Sequence, residues 1–154
     1  MAWHPPPLGV LRVNFDASVH ADQAASGFVI RDYKGKLLRA GGKCLIPSSM
    51  PHVELNAAWL GLYAAVIELQ AQRIWLEGDS YTVINWISKL SNDSYTKSPL
   101  LKDIMQWKKT RVFYASHIFR EGNQVADHLV NCALNGDFYY TQQSVLSSQL
   151  VNLL

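Results

Sequence analysis

The sequence predicts a mixed α/β fold: a five-stranded sheet, antiparallel in its first three strands and extended by parallel additions, flanked by helices. Three observations carry this prediction. Leu11, Val13 and Phe15 alternate with Arg12, Asn14 and Asp16, the period of two expected of a strand with one buried face. Two further β-rich runs, Ala25–Arg31 and Lys36–Gly41, follow across short turns and make an antiparallel meander. The later β-rich runs, Arg73–Gly78 and Val112–Ile118, are separated by helical periodicities, and such strand–helix–strand passages favour parallel pairing through crossovers.

The chain has 154 residues, enough for one domain with a real core, and 49% hydrophobic against 17% charged residues excludes disorder as its main state. Residues 1–8 read as an extended, proline-rich lead-in and residues 139–154 as an apolar but irregular tail, which leaves a last helix, a packing arm and a weak dimer contact open. No apolar run approaches the roughly 20 residues of a membrane span. The start lacks a signal peptide's apolar core, so the expectation is an intracellular protein, nuclear or cytoplasmic, with no membrane partner. Cys44 and Cys132 stand alone and far apart, which suggests neither a zinc knuckle nor a disulfide framework. A net charge of +2 does not announce a nucleic-acid binder, so any such site is a local patch. The densest basic stretch contains Lys97, Lys102, Lys108, Lys109 and Arg111.

In chain order, the first strand is expected to end near Asp16, where Ala17-Ser18 breaks the alternation. Asp32-Tyr33-Lys34-Gly35 supplies the turn between the second and third strands. Pro47 to Pro51 leads into the clearest helix, with Val53, Ala57, Leu60, Ala64 and Ile67 as one apolar stripe. The adjacent stripe, Glu54, Ala58, Gly61 and Ala65, is mostly small, so it lets the helix approach the sheet and carries Glu54, in the helix's first turn, inward. Asp79-Ser80 closes the fourth strand and caps a second helix bearing Val83, Ile84, Ile87 and Leu90. Pro99 to Lys109 is a third helix, and Asn123 caps a fourth that carries Asp127 in its first or second turn.

Asp16, Glu54, Asp79 and Asp127 thus fall where elements begin or end. With the first and fourth strands as neighbours, the four carboxylates converge. Two carboxylates about 4 Å apart repel by roughly 4 kcal/mol at an effective dielectric near 20. A close cluster therefore needs a cation or retained protons. Hard divalent ions prefer such oxygen ligands, and two of them about 4 Å apart form the clamp for in-line phosphodiester displacement.

Asn14-Phe15-Asp16-Ala17-Ser18, Glu54-Leu55-Asn56-Ala57, Glu77-Gly78-Asp79-Ser80 and the stretch from His117 to Leu129 resemble the four signature blocks of type 1 ribonuclease H. More narrowly, they resemble ribonuclease H-like domains related to plant non-LTR retroelement reverse transcriptases. The resemblance runs from about Leu11 to Ala133 with the blocks in order. It implies a ribonuclease H-like fold and cleavage of the RNA strand of RNA–DNA hybrids. It also implies two Mg²⁺ ions, with Mn²⁺ able to substitute, held by Asp16, Glu54, Asp79 and Asp127 as catalytic ligands. Ser18, Ser80, Asn123, Lys108 and Lys109 are the candidate nucleic-acid contacts.

Two departures from the family pattern motivate a second reading, a catalytically weak or inactive domesticated domain that binds nucleic acid. Ala17 stands where the first block usually has glycine, and the loop Arg120-Glu121-Gly122-Asn123-Gln124 carries no histidine. A 3′–5′ exonuclease is a third reading, disfavoured because the first strand lacks an Asp-x-Glu pair.

Overall fold

In the computed structural model, which describes residues 9–141, six strands form one mixed sheet. The strands are β1 (Leu11–Val19), β2 (Ala24–Arg31), β3 (Leu37–Leu45), β4 (Arg73–Gly78), β5 (Val112–His117) and β6 (Phe138–Thr141). Their order across the sheet is β5-β4-β1-β2-β3-β6. β1 pairs in parallel with β4, and β4 with β5, while the other pairs are antiparallel. The helices are α1 (Met50–Tyr63), α2 (Tyr81–Lys89), α3 (Pro99–Lys109) and α4 (Gln124–Ala133). Among the described residues no helix is long and apolar enough to cross a membrane.

The expected architecture stands, with one strand more. Phe138 to Thr141, assigned to the tail from residue 139 onward, instead pairs antiparallel with Arg39 to Gly42 of β3. Phe138 and Tyr140 pack on one side of this edge strand with Val29, Val125 and Leu129, and Tyr139 meets the Phe28 ring edge-on from the other. With aromatic residues on both faces the segment shows no polar–apolar alternation, although its composition favours a strand. The lead-in and residues 142–154, with the dimer contact considered for them, lie outside the described residues.

α1 covers one face of β1 and β2, where Val13, Phe15, Phe28 and Ile30 meet Leu55, Ala58 and Leu62. α4 covers the opposite face, with Val125 and Leu129 against Val29. The stripe through Glu54, Ala58, Gly61 and Ala65 is wholly buried, as expected. The other stripe drifts outward: Leu60 is half-buried and Ile67 exposed. A π-helical turn, Ala64–Glu68, follows α1, and its wider turn breaks the spacing that the stripe assumed.

Gly61 marks the close contact. A Cβ there would lie 2.6 Å from Val13 Cγ1. On the other face, a Cβ on Gly27 would lie 3.0 Å from the backbone nitrogen of Val130, so α4 rests almost directly on β2. Replacing Gly61 with Leu is expected to cost roughly 1–3 kcal/mol by overpacking, read as a lower midpoint in urea denaturation. An unchanged midpoint would contradict the close approach of α1 to β1.

Candidate active site

The β1–β4 ladder ends at the pair Phe15 and Gly78, so Asp16 and Asp79 are the next residues on two adjacent parallel strands. Asp16 lies further inside β1 than expected, because pairing with β2 continues to Val19. Glu54 reaches the same end of the sheet from α1. That helix begins at Met50, capped by Ser49, earlier than expected, which puts Glu54 in its second turn and not its first, beyond the reach of the helix-end charge. Ser26 Oγ donates to the Val53 carbonyl at 2.8 Å and ties β2 to α1 beside Glu54.

One carboxylate oxygen each from Asp16, Glu54 and Asp79 lie within 4.8 Å of one another. Asp127, in the first turn of α4, stands outside this trio and adjoins it on the Asp16 side, where its charge acts on the Asp16 carboxyl. The four expected carboxylates therefore gather as three plus one.

The trio is mostly out of water. Asp16 is 5% exposed and Glu54 is 3% exposed, and Glu54 Oε2 is buried with no hydrogen-bond partner. Burial, reinforced by the Asp79 and Asp127 charges and opposed by the Ala17 N–H, pushes the Asp16 carboxyl up to about 8. Burial, with the charges of Asp16 and Asp79, pushes Glu54 up to about 9. A buried, oxygen-only donor set with an unpartnered oxygen matches the ligand preference of Mg²⁺ and Mn²⁺. A divalent ion would be held by Asp16, Glu54 and Asp79, with Asp127 at hand through Asp16.

The remaining candidates separate by what their side chains already do. Ser80 Oγ accepts from the Val83 N–H at 3.4 Å and caps α2, as expected. Ser18 Oγ pairs with His20 Nε2 at 3.0 Å. Asn123 stands at the cap position of α4, but its side chain does not cap the helix. It is 1% exposed and turns inward, donating to the Phe15 carbonyl at 2.8 Å. Lys108 directs its ammonium to the carbonyls of Ile87 and Leu90 at 2.7 and 2.9 Å, satisfying the end of α2. Lys109 is exposed.

Ala17 carries no backbone strain. Gln70 is the one non-glycine residue with positive φ among the described residues, and the Ala17 N–H donates to Asp16 Oδ1 at 2.9 Å. An imidazole outside the loop meets the backbone of a site residue: His117, at the end of β5, has Nε2 3.2 Å from the Asp79 carbonyl oxygen. Its register partner is Gly78, a placement visible only once β4 and β5 are paired. Arg12, Asn14, Arg31 and Glu77 are buried near the site and were not anticipated there. Asn14 and Glu77 each precede a site aspartate by two residues, which was the available signal.

Two outcomes follow from these environments. Asp16 and Glu54 hold protons more tightly folded than in an unfolded chain, where their values are about 3.9 and 4.3. The metal-free fold is therefore favoured at low pH and loses stability as pH rises through the folded values near 8 and 9. A loss of about 2 kcal/mol would lower the Tm by roughly 6 °C. Calorimetry without metal should show this decline, Glu54→Gln should reduce it, and millimolar Mg²⁺ should flatten it. An identical decline in Glu54→Gln would contradict the assignment. Separately, Lys108→Ala should lower the Tm, because removing charged hydrogen bonds costs about 1–3 kcal/mol. Lys109→Ala should leave it unchanged in the same thermal scan.

The chain matches the reverse transcriptase-like family over residues 14–133. It is 29% identical over 138 residues to an Arabidopsis thaliana protein that carries ribonuclease H in its name, covering 88% of this chain but only 22% of that protein. The RNase H1 of the halophilic archaeon Halobacterium salinarum superposes with a TM-score of 0.66 at 23% identity, covering 82% of this chain and 98% of that one. The compost-derived LC11 RNase H1, solved in complex with an RNA/DNA hybrid, gives 0.61 at 23% identity, covering 81% and 96%. The architecture shared with these structures is the ribonuclease H-like fold. The match across residues 14–133 places the chain in the reverse transcriptase-like family.

Proposed function

We propose that this chain is a metal-dependent endonuclease that hydrolyses the RNA strand of RNA–DNA hybrids, with Asp16, Glu54, Asp79 and Asp127 as its metal ligands. The observation that carries this reading is the convergence of three carboxylate oxygens within 4.8 Å, drawn from β1, α1 and the end of β4. When bound, a pair of Mg²⁺ or Mn²⁺ ions activates water and stabilises the leaving oxygen of a phosphodiester. The protein's own contribution is to hold the carboxylates ionised and fixed around those ions. Glu54 and Asp16 lie deepest, and Asp79 and Asp127 are half-buried.

The choice of hybrid as substrate draws support from the structural relative solved with an RNA/DNA hybrid. A groove of about 550 Å³ begins at His52, two residues before Glu54, and is lined by Trp86, Lys89 and Tyr95. Exposed aromatic rings there offer stacking platforms for bases and Lys89 offers a phosphate contact. Lys109 remains a candidate contact, whereas Lys108 has a structural task. The site of action would be the nucleus or cytoplasm.

The non-cutting reading loses one of its two motives, because Ala17 sits in a strand without strain. Asp16→Asn and Asp79→Asn should each abolish Mg²⁺-dependent cleavage of a labelled hybrid, since each removes a negative ligand while keeping the side chain's shape. Hybrid binding should survive or tighten, because fewer negative charges face the phosphates. Wild type that binds hybrid without cutting it would favour the non-cutting reading. Cleavage by Asp16→Asn at the wild-type rate would remove this cluster as the active site.

A further inference from the structure

Beneath the carboxylates lies a second set of buried polar side chains, displaced from the first by one structural repeat on each element. Asn14 precedes Asp16 by two residues on β1. Glu77 precedes Asp79 by two residues at the end of β4. Asn123 precedes Asp127 by four residues, one helical turn, and its carbonyl accepts the Asp127 N–H at 3.1 Å. All three are nearly solvent-free, and they bond to one another.

Asn14 Nδ2 donates to Glu77 Oε1 and to Asn123 Oδ1, both at 3.2 Å. Asn14 Oδ1 accepts from Arg31 Nη2 at 3.4 Å, and Arg12 Nη1 pairs with Glu77 Oε1 at 3.4 Å. Asn123 Nδ2 donates to the Phe15 carbonyl at 2.8 Å, on the peptide that leads into Asp16. Each amide has one workable orientation. Turning Asn14 over would set its oxygen against the Glu77 carboxylate and the Asn123 oxygen, so the network is directional.

We infer that Asn14, Glu77 and Asn123 are positioning residues that lock the register of Asp16, Asp79 and Asp127 and so set the affinity of the metal centre. The inference deepens the proposed function and rests on its metal site. β1 and β4 are already joined by their backbone ladder, whereas α4 reaches the site from the other face of the sheet. The link through Asn123 therefore governs where Asp127 stands relative to Asp16. Van der Waals packing of Val125 and Leu129 holds α4 on the sheet but tolerates small slides along it. A hydrogen bond to the backbone of Phe15 does not.

The test is Mn²⁺ affinity of the full chain, followed by electron paramagnetic resonance, together with thermal melting. Replacing hydrogen-bonded supports of metal ligands typically costs 10–100-fold in metal affinity. Asn123→Ala, which removes both of its bonds to β1, should weaken Mn²⁺ binding about tenfold or more, and Asn14→Ala, which removes the Asn14–Asn123 bond but leaves Asn123 on the Phe15 carbonyl, should weaken it by more than twofold but less than Asn123→Ala. The double variant should lose less than the product of the two single losses, because the Asn14–Asn123 bond is common to both. Leu129→Ala loosens α4 through apolar packing alone and should lower the Tm while leaving Mn²⁺ affinity within about twofold of wild type. If Asn123→Ala does not fold, Asn14→Ala carries the test. Affinity kept within twofold by the network variants, or an equal loss in Leu129→Ala, would overturn the inference while leaving the proposed function standing. A wild type that binds no Mn²⁺ would overturn both.

Discussion

Carboxylates pressed together out of water repel, and the rest of this fold serves to hold three of them in that arrangement. Asp16, Glu54 and Asp79 have oxygens within 4.8 Å of one another. At that separation an ionised pair is opposed by roughly 3–4 kcal/mol even at an effective dielectric near 20. Without a cation the cluster relieves itself by keeping protons, with Asp16 held up to about 8 and Glu54 to about 9. A site of this kind persists only where the surrounding structure over-determines it. Here the parallel β1–β4 ladder delivers two of the side chains and a tightly seated helix delivers the third.

Both faces of the sheet contribute through the same device, a helix allowed unusually close. Gly61 lets α1 rest against Val13, which brings Glu54 to the sheet's end. Gly27, the register partner of Asp16, lets the backbone of α4 rest on β2, which brings Asp127 alongside. The result is uneven by construction. The α1 side completes a compact trio, while Asp127 joins through Asp16 and through the polar links that Asn123 makes to β1. Precision on the α4 side therefore depends on directional hydrogen bonds more than on apolar packing.

Much of this was legible in the residues. The alternation Leu11–Phe15, the small stripe beside Glu54 and the acidic residues at element ends gave the central strands, the seating of α1 and the carboxylates. Alternation tells which face a residue occupies, but it does not tell whether that face is covered. Arg12, Asn14 and Asp16 share the polar side of β1, and only the docking of α4 shows that this side is buried. β6 was missed because an edge strand with aromatic residues on both faces has no period of two. Lys108 was read from its neighbours in sequence as part of a basic patch. Its ammonium is engaged by carbonyls of α2, a contact across about twenty residues that local pattern does not report.

The central claim is that the buried carboxylate trio is a divalent-metal centre. Crystals of the protein equilibrated with Mn²⁺ and measured at its absorption edge test this most directly. The expected result is anomalous density coordinated by oxygens of Asp16, Glu54 and Asp79, lost in Asp16→Asn. Ordered side chains with no anomalous density among them, or density confined to other residues, would contradict it.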